Sequence, residues 1–105
     1  LRCLVGSEMC IETGSGSERS YAAADDILSN LEEVGITANR GVRIGTQGDS
    51  DDDYAVIRDT DMTSMIVEMG FMTNQDDLDY FNENLENYAK AISNGVVQWL
   101  NDYVQ

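Results

Sequence analysis

One acidic residue, Glu68, lies inside the longest apolar run of the sequence and is the side chain best placed to do chemistry. Residues 64–67 before it and Met69 after it predict a buried strand, because β-branched and long apolar side chains continue without helical spacing. Gly70 then ends the run. A carboxylate at that point would lie in a cleft, where partial desolvation raises its pKa towards the range of a general acid or base. The alternative is an edge glutamate that simply reaches water.

The other residue types exclude several kinds of chemistry. The sequence contains no histidine, which removes Ser-His and Cys-His catalytic pairs and the commonest zinc ligand. The acidic loop at residues 49–53 spaces its oxygen atoms as calcium loops do, but Tyr54 and Thr60 occupy the places that need glycine and a bidentate glutamate. This favours a solvated loop. The Gly-Ser-Gly segment at residues 14–16 lacks the lysine of a phosphate-binding loop and favours a plain turn.

The two cysteines, Cys3 and Cys10, leave two alternatives open. They could form a disulfide bond, or they could be separate buried thiols. Two cysteines are too few for a disulfide framework, and without histidine or further cysteines they do not form a zinc site. Cysteine is among the most buried residue types, so free thiols are the favoured alternative.

Length and charge restrict the classes of protein that fit. A chain of 105 residues with 42% apolar residues can bury one modest core, which predicts a single domain or part of one. The net charge of −14 argues against nucleic acid or an anionic membrane surface as a partner. No apolar stretch of about 18 residues and no signal peptide is predicted. Since Leu1 is not an initiator residue, we expect the sequence to continue a longer chain.

Hydrophobic spacing predicts the elements that would position Glu68. Residues 9–13 and 54–58 predict two further strands, and residues 36–44 are extended or turn without a clear class. Ser17 is a predicted N-cap for a helix that ends at Gly35. Its predicted core face is Ala24, Ile27, Leu28, Leu31 and Val34.

Asn74 is predicted to cap a short helical turn through Asp77, and a separate long helix follows it. We expect this helix to pack across the sheet, with Gly95 allowing close approach to a strand. Its predicted apolar stripe is Leu85, Tyr88, Ala89, Ile92, Val96, Trp99, Leu100 and Tyr103. Three strands are few for an α/β layer fold, so part of the sheet is expected to be missing.

Several segments match one known pattern in order and spacing. They are Arg-Gly-Val-Arg at 40–43, Val-Ile-Arg-Asp-Thr at 56–60 and Val-Glu-Met-Gly-Phe-Met-Thr-Asn at 67–74. With the strand at 6–10 and the helix at 20–31, they resemble the C-terminal half of a zinc-dependent N-acetylmuramoyl-L-alanine amidase of the amidase-3 family, found in autolysins and phage endolysins. The family usually has a proline before the glutamate strand, and this sequence has no proline.

The resemblance implies an α/β domain with a partial mixed sheet and packed helices, of which residues 1–105 are the C-terminal part. It also implies that Glu68 is the catalytic glutamate. In that family zinc polarises an amide carbonyl and its bound water, while the glutamate passes a proton from the water to the leaving amine. The family's zinc ligands precede the matched region, so we expect this chain alone to hold no zinc and to be inactive, with the ligands on a missing N-terminal segment.

The expected function is therefore hydrolysis of the bond between N-acetylmuramic acid and L-alanine in peptidoglycan. Its expected place is the bacterial cell wall or the extracellular space, whether the protein is bacterial or phage-encoded. One alternative is a degenerate, non-catalytic module that binds peptidoglycan or a protein partner. Another is an unrelated acidic interaction domain whose motif match is coincidental.

Overall fold

A computed structural model describes residues 9–14, 17–35, 38–44 and 54–103. The elements in these ranges are β1 (Met9–Thr13), α1 (Glu18–Val34), β2 (Asn39–Ile44), α2 (Ala55–Arg58), β3 (Met65–Glu68) and α3 (Gln75–Asp102). The strands form one sheet in the order β2-β1-β3, with β1 parallel to β2 and antiparallel to β3. The predicted α/β fold, with a small mixed sheet and packed helices, is confirmed. Cys3 and the acidic loop at 49–53 lie outside the described residues.

The strand β1 is the centre of the sheet, and all of its residues are buried. Met9 and Ile11 belong to the core that the helices cover. Because side chains alternate along a strand, Cys10 and Glu12 project from the opposite face of the sheet. The sheet therefore has an apolar face under the helices and a second face that carries polar groups.

The strand around Glu68 differs from its prediction in one respect. The residues of β3 are half-buried rather than buried, and β3 pairs with β1 alone among the described strands. The apolar run fits a central strand and an edge strand equally well, since both present one apolar face to a core. Glu68 is nevertheless the last residue of a strand that ends just before Gly70, as predicted.

The helix α1 follows the prediction closely. Ser17 is its N-cap, and the Ser17 hydroxyl accepts a hydrogen bond of 3.3 Å from the Ser20 amide. Gly35 ends the helix with a φ of 96°, a backbone conformation that favours glycine. Its buried face includes the predicted residues Ala24, Ile27, Leu28 and Leu31.

The C-terminal helix is one element rather than a turn followed by a second helix. Asn74 caps α3 directly, through a 3.1 Å hydrogen bond from the Asp77 amide to its side chain. The predicted stripe is only partly buried, since Leu85 and Leu100 are exposed by 54% and 44%. The main contacts of α3 are with α1 rather than across the sheet, so a narrower face is covered. The buried residues of that face include Tyr88, Ala91 and Gly95.

Gly95 allows a close approach to a helix rather than to a strand. A Cβ atom at this position would lie 2.4 Å from Ile27 Cα and 2.8 Å from Ile27 N, in the backbone of α1. Only glycine fits without separating the two helices. The predicted role of Gly95 in close packing is therefore correct, and the predicted partner is wrong.

Two short segments were difficult to assign from spacing. Residues 54–58, predicted as a strand, contain the helical turn α2, in which the Asp59 amide donates to the Ala55 carbonyl at 2.9 Å. A run of so few apolar residues fits either element, and here local hydrogen bonds decide it. The unassigned stretch at 36–44 contains β2, where Gly41 has a φ of 79°.

Candidate active site

Glu68 lies at the point where β3 ends and the chain turns at Gly70. Its side chain is half-buried, and burial raises the pKa of its carboxyl group. The negative charge of Glu12 raises the pKa of Glu68 further. A raised pKa is the property that a carboxyl group needs if it is to accept and release a proton near neutral pH.

Asp77 fixes the turn that follows Glu68. The buried Asp77 carboxylate accepts a 2.8 Å hydrogen bond from the Phe71 amide. Gly70 has a φ of 140°, and a Cβ there would lie 3.1 Å from Asp77 Oδ2, so the turn packs tightly on this side chain. The sequence predicted the Gly70 break and the Asn74 cap but not this bond. Its signal was an acidic residue at the third helical position after the cap, which lies beside the preceding turn.

Glu12 is a second carboxyl group on the same face of the sheet. Cys10 pairs with Glu68 and Glu12 pairs with Ile66, so the two glutamates are diagonal neighbours across the β1-β3 ladder. Such neighbours are about 7 to 8 Å apart. We refer to Glu12 and Glu68 as the carboxyl pair. The sequence analysis missed Glu12, although an acidic residue in the otherwise uncharged strand at 9–13 was a signal for it.

The Glu12 side chain is 8% exposed, and burial raises the pKa of its carboxyl group. Its Oε2 atom makes no hydrogen bond within the part of the chain that the structure describes. A buried, unsatisfied carboxyl oxygen is unfavourable, by roughly 1 to 3 kcal/mol or more if it is charged. The fold therefore carries a cost at this position.

Cys10, on the central strand β1, is the cross-strand partner of Glu68. Its Sγ atom is 3.1 Å from Glu68 Oε2. Cys10 is disulfide-bonded, so its sulfur has no proton to donate and the contact is a packing contact. The favoured expectation of a free thiol is wrong for Cys10. Cys3 lies outside the described residues.

Tyr54, the N-cap residue of α2, lies close enough to the carboxyl pair to be affected by both charges. The negative charge of Glu12, burial and the charge of Glu68 all raise the pKa of the Tyr54 hydroxyl. Tyr54 therefore keeps its proton at neutral pH and responds to both members of the carboxyl pair. Its neutral hydroxyl can donate or accept a hydrogen bond.

Zinc does not fit the described residues. In the ranges 9–14, 17–35, 38–44 and 54–103 no group of three or more metal-ligating side chains lies close enough to hold a metal ion. The sequence as a whole contains no histidine. In the same ranges no helix is both long and apolar enough to cross a membrane.

The small mixed sheet with packed helices agrees with the fold that the resemblance implies. The family model for Amidase_3, N-acetylmuramoyl-L-alanine amidase, matches residues 3–98, so the chain belongs to this family. It is also similar to the Uncharacterized protein YqiI of Bacillus subtilis (strain 168), with 30% identity over 98 residues. This alignment covers 93% of the chain and 43% of YqiI, so the chain spans less than half the length of that relative.

Proposed function

We propose that this chain is part of a peptidoglycan hydrolase that cleaves the amide bond between the lactyl group of N-acetylmuramic acid and L-alanine. The observation that carries the proposal is Glu68, a half-buried carboxyl group with a raised pKa at the end of β3. Membership of the Amidase_3 family supports this reaction and peptidoglycan as the substrate. Glu68 is the proposed catalytic residue.

In this mechanism the ionised Glu68 accepts a proton from a water molecule as the water oxygen attacks the amide carbonyl carbon. The C–N bond then breaks, and Glu68 returns the proton to the departing amine of L-alanine. A residue that both takes and gives a proton works best with a pKa near the working pH, which burial promotes here. The Asp77 contact to the Phe71 amide holds the end of β3 in position during these steps.

The complete domain is proposed to use zinc, with ligands outside the described residues. No step above depends on a ligand from this chain. The disulfide bond at Cys10 supports a location outside the cytoplasm, because disulfides persist mainly in oxidising compartments. We therefore propose action at the cell wall, as an autolysin or as a phage endolysin.

A second candidate is a degenerate module that keeps the fold and binds peptidoglycan or a protein partner without cleaving it. The two candidates make different predictions for Glu68, because a binding module does not need a proton acceptor.

The test uses the chain together with its native upstream sequence and compares Glu68→Gln with Asp61→Asn. Glu68→Gln preserves size and removes the proton acceptor, so peptidoglycan hydrolysis should slow by roughly 10² to 10⁴-fold while circular dichroism is unchanged. Asp61 is an exposed acid of the same region and its variant should hydrolyse at nearly the wild-type rate. Equal rates for Glu68→Gln and wild type would exclude the proposed mechanism.

A further inference from the structure

Glu12 needs an explanation beyond the stability of the fold. Its side chain is more than nine-tenths buried, and its Oε2 atom has no hydrogen-bond partner among the described residues. A glutamine at this position would avoid the cost of burying a charge, and an apolar side chain would avoid the unsatisfied oxygen. Groups held in such an unfavourable state are concentrated at functional sites.

Among the described residues, Glu12 has an ionisable diagonal neighbour on β3. Cross-strand pairing places Glu12 opposite Ile66 and Glu68 opposite Cys10, on one face of the sheet. Two negative charges at this diagonal spacing repel each other, so the ionisation of one group makes the ionisation of the other harder. Paired carboxyl groups in other enzymes separate their pKa values in this way.

We propose that Glu12 is a positioning residue for Glu68. Through its charge, Glu12 keeps Glu68 able to hold and release a proton. The two carboxyl groups titrate as one coupled pair, and their apparent pKa values belong to the pair. This proposal rests on the proposed function for its catalytic meaning, while the coupling itself is a property of the folded chain.

The described residues beside the carboxyl pair include Tyr54, Cys10 and Arg43. Tyr54 is neutral while carboxyl groups titrate, and the disulfide-bonded Cys10 carries no charge. Arg43 of β2 is beside Glu12 in the ladder, but its Nε donates to a main-chain carbonyl at 3.2 Å.

The coupling is tested by carbon-13 NMR titration of the side-chain carboxyl groups in the 105-residue chain. In Glu12→Gln the titration midpoint of Glu68 should move to lower pH by several tenths of a pH unit or more, as expected for two charges at this spacing. Glu12→Asp keeps the charge and should restore most of the wild-type midpoint. The matched control is Glu32→Gln on the exposed face of α1, which should leave the midpoint of Glu68 unchanged.

The reciprocal variant, Glu68→Gln, gives a second test that does not depend on whether Glu12→Gln folds. If the pair is coupled, Glu68→Gln must remove the influence of Glu68 from the titration curve of Glu12, because the interaction acts equally in both directions. If neither midpoint moves, the proposal is wrong. In the active protein, Glu12→Gln should also move the acidic limb of the kcat/KM profile to lower pH. An inactive protein with coupled midpoints would refute the proposed function and leave the coupling intact, so the two failures are distinguishable.

Discussion

Substitution of Gly95 by alanine tests the packing of α3 against α1 directly. The added Cβ would lie 2.4 Å from Ile27 Cα and 2.9 Å from Ile27 Cγ1. Since the nearest atoms belong to the backbone, no change of rotamer relieves the clash and the helices must move apart. Overpacking of this kind costs about 3 kcal/mol at the upper end of the usual range. Alanine in place of glycine in a helix returns about 1 kcal/mol.

The net expected loss for Gly95→Ala is therefore about 2 kcal/mol, the difference between these two effects. Urea unfolding followed by circular dichroism and by the fluorescence of Trp99 measures it. Ser93→Ala is the matched control, because Ser93 is exposed on the same helix and its variant should be as stable as wild type or slightly more so. If Gly95→Ala is also more stable than wild type, helix propensity dominates and the close approach of α3 to Ile27 is wrong.

Three further predictions concern stability. Leu31→Ala, at a fully buried site, should lower the free energy of unfolding by about 2 to 5 kcal/mol. Leu100→Ala should lower it by less than about 1 kcal/mol, because Leu100 is 44% exposed. Equal losses of stability in urea unfolding would contradict the described face of α3. Asn74→Ala should cost about 0.5 to 2 kcal/mol through loss of the cap, and an unchanged unfolding midpoint would argue against the cap. Burial raises the pKa values of Glu12 and Glu68, so the folded state favours their protonated forms. The stabilisation from these protonated groups is fully present below the unfolded pKa of about 4.3 and is lost as pH rises through the folded pKa values. The urea midpoint should therefore rise on mild acidification, and this rise should be smaller in Glu12→Gln; an identical rise in the variant would contradict the account.

The elements that could be predicted are those whose signals are local. The helix α1 has its cap, its apolar spacing and its terminal glycine within one continuous stretch, so Ser17 and Gly35 were assigned correctly. The covered face of α3 depends instead on which element packs against it. Its sequence is compatible with a broad stripe, and the close contact of Gly95 with Ile27 selects a narrower face.

In the candidate site, too, a residue with a local signal could be predicted and residues that depend on distant contacts could not. Glu68 was found because an acidic residue within an apolar run is visible in one segment. Glu12 becomes its neighbour only through the pairing of β1 with β3. The charges of both glutamates also reach Tyr54, which precedes the helical turn α2. Strand pairing between distant segments is set by tertiary packing, and spacing within a single segment does not contain it.

The central claim, amide hydrolysis assisted by Glu68, is tested most directly by digesting peptidoglycan in heavy-oxygen water with the protein that includes its native upstream sequence. The account predicts one heavy oxygen atom in the lactyl carboxylate of N-acetylmuramic acid and a free amino group on L-alanine, both formed by the wild type and almost absent with Glu68→Gln. Heavy oxygen at a sugar carbon or at a bond within the stem peptide would contradict it. Equal labelling of the lactyl carboxylate by Glu68→Gln and by the wild type would contradict the role of Glu68.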